Sequence, residues 1–295
     1  MTAEDVLEII APAEWTVPMV FNSPHSGSLL PPDFLNQVRL DHRSLRLSED
    51  CFVDELFGGC IAAGAPMLRA LFSRSYIDLN REPYELDQRM FFEQLPRHFN
   101  MSSPRVACGL GTIPKVVAEG QDIYRGRILL AEALNRIECV YRPYHRALSA
   151  LLNEAHRATG RVLLVDCHSM PSSAVSEIQA HNERRIDVVL GDRYAASCDP
   201  LIAATAEDCL RNAGLNVVRN RPYAGGFFTE NQGHPRLGRH ALQVEINRCL
   251  YIDEGRQTKT ANFNAMKGIL DTLAQTLGSL LADQIPAIDF QMAAE

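Results

Sequence analysis

The stretch that decides the fold reads Val162-Leu163-Leu164-Val165-Asp166-Cys167-His168-Ser169, four aliphatic residues that run directly into polar ones. A short aliphatic run of this kind is typical of a central strand that is covered on both faces. Runs of the same character occur at Val17–Asn22, Ile186–Leu190, Leu215–Val218 and Ala241–Ile246. The sequence therefore predicts a buried sheet whose central strands carry polar residues at their ends.

Helical patterns separate these strands along the chain. Pro200–Asn212 lies between two of them, and the last helix has an apolar stripe at Phe263, Met266, Leu270, Leu273, Leu277 and Leu280. Further predicted helices are Asp50–Ala63, Asp122–Cys139 and Tyr144–Ala158, and further predicted strands are Pro66–Leu71 and Tyr76–Leu79. This alternation predicts a three-layer αβα sandwich with a mostly parallel, mixed sheet. We expect a single domain over residues 1–295 with an inserted loop region around 83–120, where prolines, glycines and polar residues replace the pattern.

Composition excludes several classes of partner. The 295 residues carry a formal net charge of −7, which argues against nucleic acid or an anionic membrane as the partner. The eight cysteines are scattered without a C-x-x-C pair, and the first 18 residues carry four carboxylates and no basic segment. Together these features predict a cytoplasmic protein with reduced thiols and no signal peptide.

Two histidines and a glutamate stand at or near the ends of aliphatic runs. His25 follows the run Val17–Asn22, His168 follows Val162–Val165, and Glu245 lies inside Ala241–Ile246. A zinc hydrolase needs three nitrogen or oxygen ligands, an open position for water and a nearby general base. We predict His25, His168 and Asp50 as ligands, with Glu49 as the reserve carboxylate, and Glu245 as the base.

Each of these residues also has a simpler interpretation. His25 is compatible with a turn residue, His168 with a hydrogen-bonded histidine at a strand end, and Asp50 with a first-turn carboxylate favoured by the helix dipole. Glu245 has Arg248 as a possible ion-pair partner, but a carboxylate within an aliphatic run is costly to desolvate unless the fold uses it. Because the four occur together, the pattern favours a metal centre. We expect the two imidazoles to lie within about 5 Å of each other, since zinc–nitrogen bonds are about 2 Å long.

Two further segments are candidates for binding a substrate. A turn after Asn80 would let Asn80 and Arg81 face a ligand, and an arginine matches a carboxylate through two parallel hydrogen bonds. The alternative for Arg81 is a surface ion pair with Glu82 or Glu85. The dipeptide Gly225-Gly226 is typical of a turn that approaches a substrate closely.

Seven motifs occur in order from about Val17 to Tyr251. They are Asn22-Ser23-Pro24-His25-Ser26-Gly27; Glu49-Asp50; Ser73-Arg74 with Ile77-Asp78-Leu79-Asn80-Arg81; Tyr141-Arg142-Pro143-Tyr144-His145; Asp166-Cys167-His168-Ser169-Met170-Pro171; Pro222-Tyr223-Ala224-Gly225-Gly226; and Gln243-Val244-Glu245-Ile246-Asn247-Arg248 with Leu250-Tyr251. This series resembles the N-formylglutamate amidohydrolase family. Each motif is weak alone, and their order makes the resemblance specific.

The family is related in fold to zinc carboxypeptidases, and this wider resemblance implies roles. It implies that His25, Asp50 and His168 hold zinc, that Glu245 activates water, and that Asp78 supports His25. It also implies that Asn80 and Arg81 bind the substrate carboxylate, and we add Arg74 and Gly226 as further candidate substrate-binding residues. The chain departs from the carboxypeptidase pattern at Ser28, where the second residue of a His-x-x-Glu ligand pair would be glutamate.

The resemblance implies an enzyme with one Zn²⁺ per chain that hydrolyses N-formyl-L-glutamate to formate and L-glutamate, within histidine degradation. Two alternatives remain open at this point. A zinc amidase of the same fold would act on another N-acyl amino acid or small peptide, and a metal-free protein on the same scaffold would only bind such a molecule. The sequence does not decide the oligomeric state.

Overall fold

The computed structural model describes residues 6–118, 120–176 and 185–282. The strands are β1 Leu7–Ile10, β2 Met19–Ser23, β3 Met67–Ala70, β4 Val116–Ala118, β5 Gln121–Asp122, β6 Val162–Met170, β7 Val188–Gly191, β8 Val217–Arg219, β9 Arg239–Asn247, β10 Ile252–Asp253 and β11 Thr258–Lys259. Seven of them form one sheet in the order β1-β3-β2-β6-β9-β7-β8, and β4–β5 and β10–β11 form two-stranded ribbons.

The helices in the described ranges vary from single turns to twenty residues. They are α1 Pro32–Leu35, α2 His42–Leu45, α3 Val53–Leu56, α4 Pro104–Ala107, α5 Leu130–Arg136, α6 Arg142–Thr159, α7 Pro200–Asn212, α8 Phe227–Gln232 and α9 Phe263–Ala282. A π-helical turn over Ile137–Tyr141 joins α5 to α6. None of these helices combines the length and apolar character that a bilayer span requires. The mostly parallel sheet with flanking helices confirms the predicted α/β sandwich.

The described residues fall into two compact units, one over 6–8, 24–50 and 69–147 and the other over 9–23, 51–68 and 148–282. In the first unit, isolated bridges join short extended segments. The described residues of the predicted loop region 83–120 contain only α4, β4 and a 3₁₀ turn as regular elements. The assignment of all 295 residues to a single domain stays a prediction.

The second unit is built on the pairs β2–β6, β6–β9 and β7–β8, which are parallel, and β7–β9, which is antiparallel. Every residue of β6 is buried, as its aliphatic character predicts. Successive side chains of a strand point to opposite faces. One face carries Leu163, Val165, Cys167, Leu242, Val244 and Ile246, which pack with α3, α7 and α9 into a single apolar core.

The last helix supplies much of this core. All members of the predicted stripe of α9 are buried except Leu280, which is only partly buried, and Leu281 takes the buried place beside it. Among the eight cysteines, no disulfide forms in the described chain. The helix Pro200–Asn212 has the predicted bounds, because Asp199 caps it by accepting from Leu201 N and Pro200 begins it.

Three predicted elements are wrong, each for a local reason. Tyr76–Leu79 is a turn and bend instead of a strand, since Tyr76 N donates to Ser73 O and Asp78 N donates to Thr112 O. The predicted helix Asp122–Cys139 begins only at Leu130, because the residues before it bridge extended segments. The predicted helix Asp50–Ala63 contains only α3 and a 3₁₀ turn.

Candidate metal centre

The histidine after β2 is held by the backbone of residue 50. His25 is 1% exposed, and its carbonyl accepts a hydrogen bond from Asp50 N at 3.0 Å. This bond brings Asp50 Oδ2 to 3.5 Å from His25 Nδ1. The helix that was expected to start at Asp50 begins instead at Val53, because Phe52 has a left-handed backbone with φ of 62°. Asp50 is therefore a buried loop residue and not a helix cap.

The other imidazole nitrogen of His25 is bound to Asp78. The distance from His25 Nε2 to Asp78 Oδ1 is 2.8 Å. A carboxylate at Nε2 favours the tautomer that carries its proton there, which makes Nδ1 the nitrogen suited to a metal. The expectation that Asp78 supports His25 agrees with this contact.

Two arginines surround Asp78. Arg74 Nε donates to Asp78 Oδ2 at 3.0 Å, and Arg81 Nη2 lies 3.2 Å from the same oxygen. Burial by itself raises the pKa of Asp78, but Arg74, Arg81 and His25 outweigh it and hold that pKa well below its ordinary value. Asp78 is consequently ionised at neutral pH beside Nε2 of His25.

His168 lies inside β6 rather than beyond its end. The strand continues to Met170, so Asp166 and His168 occupy alternate positions on one face. His168 Nε2 lies 3.0 Å from Asp166 Oδ2, and Asp166 Oδ1 accepts from Asn22 Nδ2 at 2.8 Å. Each of the two candidate histidines thus has a buried carboxylate at its Nε2 atom.

The glutamate in β9 shares the face of His168. Glu245 and His168 are direct partners in the parallel pair β6–β9, so their side chains lie side by side. Gln243 Nε2 donates to Glu245 Oε1 at 3.0 Å, and Gln243 Oε1 accepts from Gly226 N at 2.9 Å. The backbone of Gly226 thereby fixes the amide that orients the carboxylate. Arg248, the alternative partner of Glu245, donates through Nε to Ser169 Oγ.

His25, Asp50 and His168 form a group with the geometry of a metal site. One ligand atom from each residue can be chosen so that all three lie within 4.8 Å of one another, and all three residues are buried. This agrees with the expected approach of the two imidazoles. Two imidazole nitrogens and one carboxylate oxygen are donors that zinc takes in hydrolytic sites, so the residues fit a divalent ion. Glu49, the reserve carboxylate, pairs with Arg46 Nε at 2.7 Å.

The candidate substrate-binding residues differ in exposure. The side chain of Arg81 is 9% exposed, and its Nε and Nη1 donate to Leu110 O and Asn80 O. The expected alternative of a surface ion pair with Glu82 or Glu85 is wrong, because Arg81 is buried against Asp78. The side chain of Arg74 is 24% exposed and the more accessible of the two.

Sequence reasoning assigned no role to Asn22, Asp166 or Gln243, although all three are buried on the face that carries His168 and Glu245. The same argument that selected Glu245, a polar residue within an aliphatic strand, applies to Asp166 and Gln243. The missing information was the true length of β6, since a strand assumed to stop at Val165 leaves Asp166 outside the sheet.

An α/β sheet with buried imidazoles and carboxylates gathered on one face has the architecture of a hydrolytic enzyme. Comparison with known proteins gives the family. Residues 17–252 match the family model described as N-formylglutamate amidohydrolase, so the chain belongs to the N-formylglutamate amidohydrolase family and the resemblance inferred from the motifs is confirmed.

Individual relatives agree with this assignment. The chain is 28% identical to an N-formylglutamate deformylase of Pseudomonas aeruginosa over 84% of its own length and 86% of that protein. It is 27% identical to an N-formylglutamate deformylase of Pseudomonas putida over 81% of its length and 83% of that protein. The crystal structure of N-formylglutamate amidohydrolase from Ralstonia eutropha JMP134 matches with a TM-score of 0.89 and 31% identity, covering 95% of this chain and 100% of that chain.

Proposed function

We propose that the protein is a zinc-dependent amidohydrolase that cleaves N-formyl-L-glutamate to formate and L-glutamate. The observation that carries the proposal is the buried group of His25, Asp50 and His168 in a chain of this family. Relatives named for the same substrate align over more than four fifths of the chain. One zinc ion per chain is expected, with Nδ1 of His25 as one donor.

Zinc at this position would supply a Lewis acid for the formyl carbonyl and lower the pKa of a water molecule. Glu245 takes a proton from the attacking water and returns it to the nitrogen of the amide as the C–N bond breaks. Water thus provides the hydroxyl group of formic acid, and the amine leaves as the amino group of glutamate. Gln243, bound between Gly226 N and Glu245 Oε1, keeps the carboxylate in one rotamer during both transfers.

The carboxylates of the substrate require cations. Among the candidates, Arg74 is the residue best suited to bind one, because its side chain is the more exposed. Asn80 would add a hydrogen bond. Gly226, whose N–H is already donated to Gln243 Oε1, would allow the substrate to approach closely without donating to it. Arg81 would act mainly by holding Asp78 and the loop of Leu110. These roles extend the same proposal to substrate selection.

The test combines metal analysis with product analysis on the purified protein. We expect about one equivalent of zinc per chain by mass spectrometry, formate release from N-formyl-L-glutamate, loss of both after chelation, and recovery on adding zinc. A panel of N-formyl and N-acetyl amino acids should show the highest kcat/KM for N-formyl-L-glutamate. Preference for another acyl amino acid would refute the substrate, and full activity without any bound metal would refute the metal role.

A further inference from the structure

A basic concavity lies in the first compact unit, apart from the residues assigned to hydrolysis. It has a volume of about 330 Å³ and is lined by five cationic side chains, Arg39, Arg89, Lys115, Arg125 and Arg127. The chain as a whole carries a net charge of −7. Such a concentration of one sign in a concave surface raises the local concentration of ions of the opposite sign.

Backbone hydrogen bonds bring these side chains together from separate segments. Arg39 N donates to Ile123 O at 2.9 Å, and Arg125 N donates to Gln37 O at 3.0 Å, on either side of the antiparallel bridge Val38–Tyr124. Ile123 N donates to Lys115 O at 2.7 Å, which adds a third segment. The concavity is therefore a built feature of the fold and not a chance contact of long side chains.

The carboxylates around the concavity neutralise only part of this charge. Asp87 accepts from Arg89 Nε and Nη2, and Asp122 Oδ1 lies 3.9 Å from Lys115 Nζ. Within the described ranges, Arg39 and Arg127 make no ion pair. The remaining cationic residue of the lining, Arg125, donates through Nε to the carbonyl of Val38. Three guanidinium groups thus face a shared volume without an acidic partner.

A buried cation, Arg136, contacts the lining residue Tyr124 from the interior of the protein. Tyr124, which lines the concavity, accepts a hydrogen bond from Arg136 Nη1 at 2.7 Å. Arg136 is 3% exposed and lies over the rings of Phe34, Tyr76 and Tyr124 at 4.5 to 5.8 Å from their centroids. Burial lowers the pKa of Arg136, but its contacts with Tyr124 and Tyr76 reverse this and raise the pKa, so the group keeps its charge. Glu132, whose Oε1 accepts from Gln37 Nε2 at 2.6 Å, raises this pKa less than the two tyrosines do.

We propose that this concavity, formed by Arg39, Arg125 and Arg127 over Tyr124, is a binding site for a small anion with two or more negative charges. Guanidinium groups match phosphate and carboxylate oxygens equally well, so both sources share the recognising chemistry. The site is independent of the proposed hydrolysis, because none of its residues belongs to the metal centre or its hydrogen-bonding partners.

The test is calorimetric titration of the whole protein with inorganic phosphate in one arm and propane-1,2,3-tricarboxylate in the other. We expect saturable binding of at least one anion with one site per chain, weaker at 300 mM than at 50 mM salt because of screening. The variant Arg39→Gln/Arg127→Gln should raise Kd at least about tenfold, since it removes two of the three guanidinium groups that would donate charge-assisted hydrogen bonds to the anion. The anion with the lower Kd shows whether the site recognises phosphate or carboxylate groups.

The matched control is Arg97→Gln/Arg146→Gln, which removes the same charge from exposed positions outside the concavity. It should bind as the unchanged protein does. Absence of saturable binding in both arms overturns the proposal, as does an equal loss in the two double variants, which would reflect general surface charge. Because Arg39 and Arg127 are exposed, unchanged melting temperatures will verify that both variants fold.

Discussion

The two faces of β6 and β9 are built from the same strands and have opposite chemistry. One presents Val165, Cys167, Val244 and Ile246 to a continuous apolar core. The other presents Asp166, His168, Gln243 and Glu245, which are also buried. Each buried polar group costs roughly 1–3 kcal/mol when it loses its hydrogen bonds, so the second face is maintained by its network of partners and not by apolar burial. The comparison indicates that apolar burial stabilises one face, while the other face holds residues proposed for hydrolysis.

The largest effect is expected on the polar face, from Glu245→Gln. Glutamine has nearly the same shape but accepts no proton, so kcat for formate release should fall by about 10²- to 10⁴-fold while zinc content and melting temperature stay near those of the unchanged protein. Rapid-quench or coupled formate assays, with metal analysis on the same sample, measure this.

The control for that change is Glu138→Gln, which removes a carboxylate whose side chain is 56% exposed on the π-helical turn. Its turnover should equal that of the unchanged protein. Near-normal kcat in Glu245→Gln would show that the polar face does not supply the base and would break the division between the two faces.

A smaller effect of a different kind is expected on the apolar face, from Leu242→Ala. Leu242 is fully buried in the core, one residue before Gln243 but pointing the opposite way. Removing its side chain should lower the free energy of unfolding by about 2–5 kcal/mol in urea titrations. The folded fraction should keep its kcat.

The exposed Leu237, with 66% of its surface accessible, offers a matched control. Leu237→Ala should change the unfolding free energy by less than about 0.5 kcal/mol. A large loss of kcat in fully folded Leu242→Ala would mean that the apolar face also sets the geometry of the site.

Local patterns in the sequence predict the apolar face well and the contacts of the polar face poorly. Periodicity and the aliphatic runs predict the sheet, and α7 and α9 follow from an aspartate cap and a regular stripe. His25 and His168 were selected by residue type after predicted strands, and Asp50 at the start of a predicted helix, and the structure groups them. The bonds from Asn22 to Asp166 and from Gly226 to Gln243 join residues 144 and 17 positions apart, which no local pattern reveals. The turn at Tyr76–Leu79 has strand-like composition, but a local bond from Tyr76 N to Ser73 O and a tertiary bond from Asp78 N to Thr112 O override it.

The smallest predicted effect concerns His240, a titratable residue at the start of β9 on the side of the strand that carries Leu242. Burial lowers the pKa of His240 below its ordinary 6.5 despite the nearby Asp199, and its Nδ1 accepts from Asp199 N at 3.3 Å. The unfolded chain therefore takes up the proton first as the pH falls. The stability that neutral His240 contributes is complete above pH 6.5 and is lost as the pH falls from there through the folded pKa.

His240→Gln keeps a hydrogen-bond acceptor without a titrating proton, so the melting temperature of this variant should fall less between pH 7.5 and pH 5.5 than that of the unchanged protein. Differential scanning calorimetry at pH 7.5 and pH 5.5 measures the slope, which is the change in melting temperature between the two pH values. His156→Gln on α6 is the control, because it makes the same substitution outside the sheet. Identical slopes for His240→Gln and the unchanged protein would show that protonation of His240 costs the fold nothing. In that case His240 would tolerate a charge although it lies on the same face of β9 as Leu242. The apolar character of that face would then begin only at Leu242.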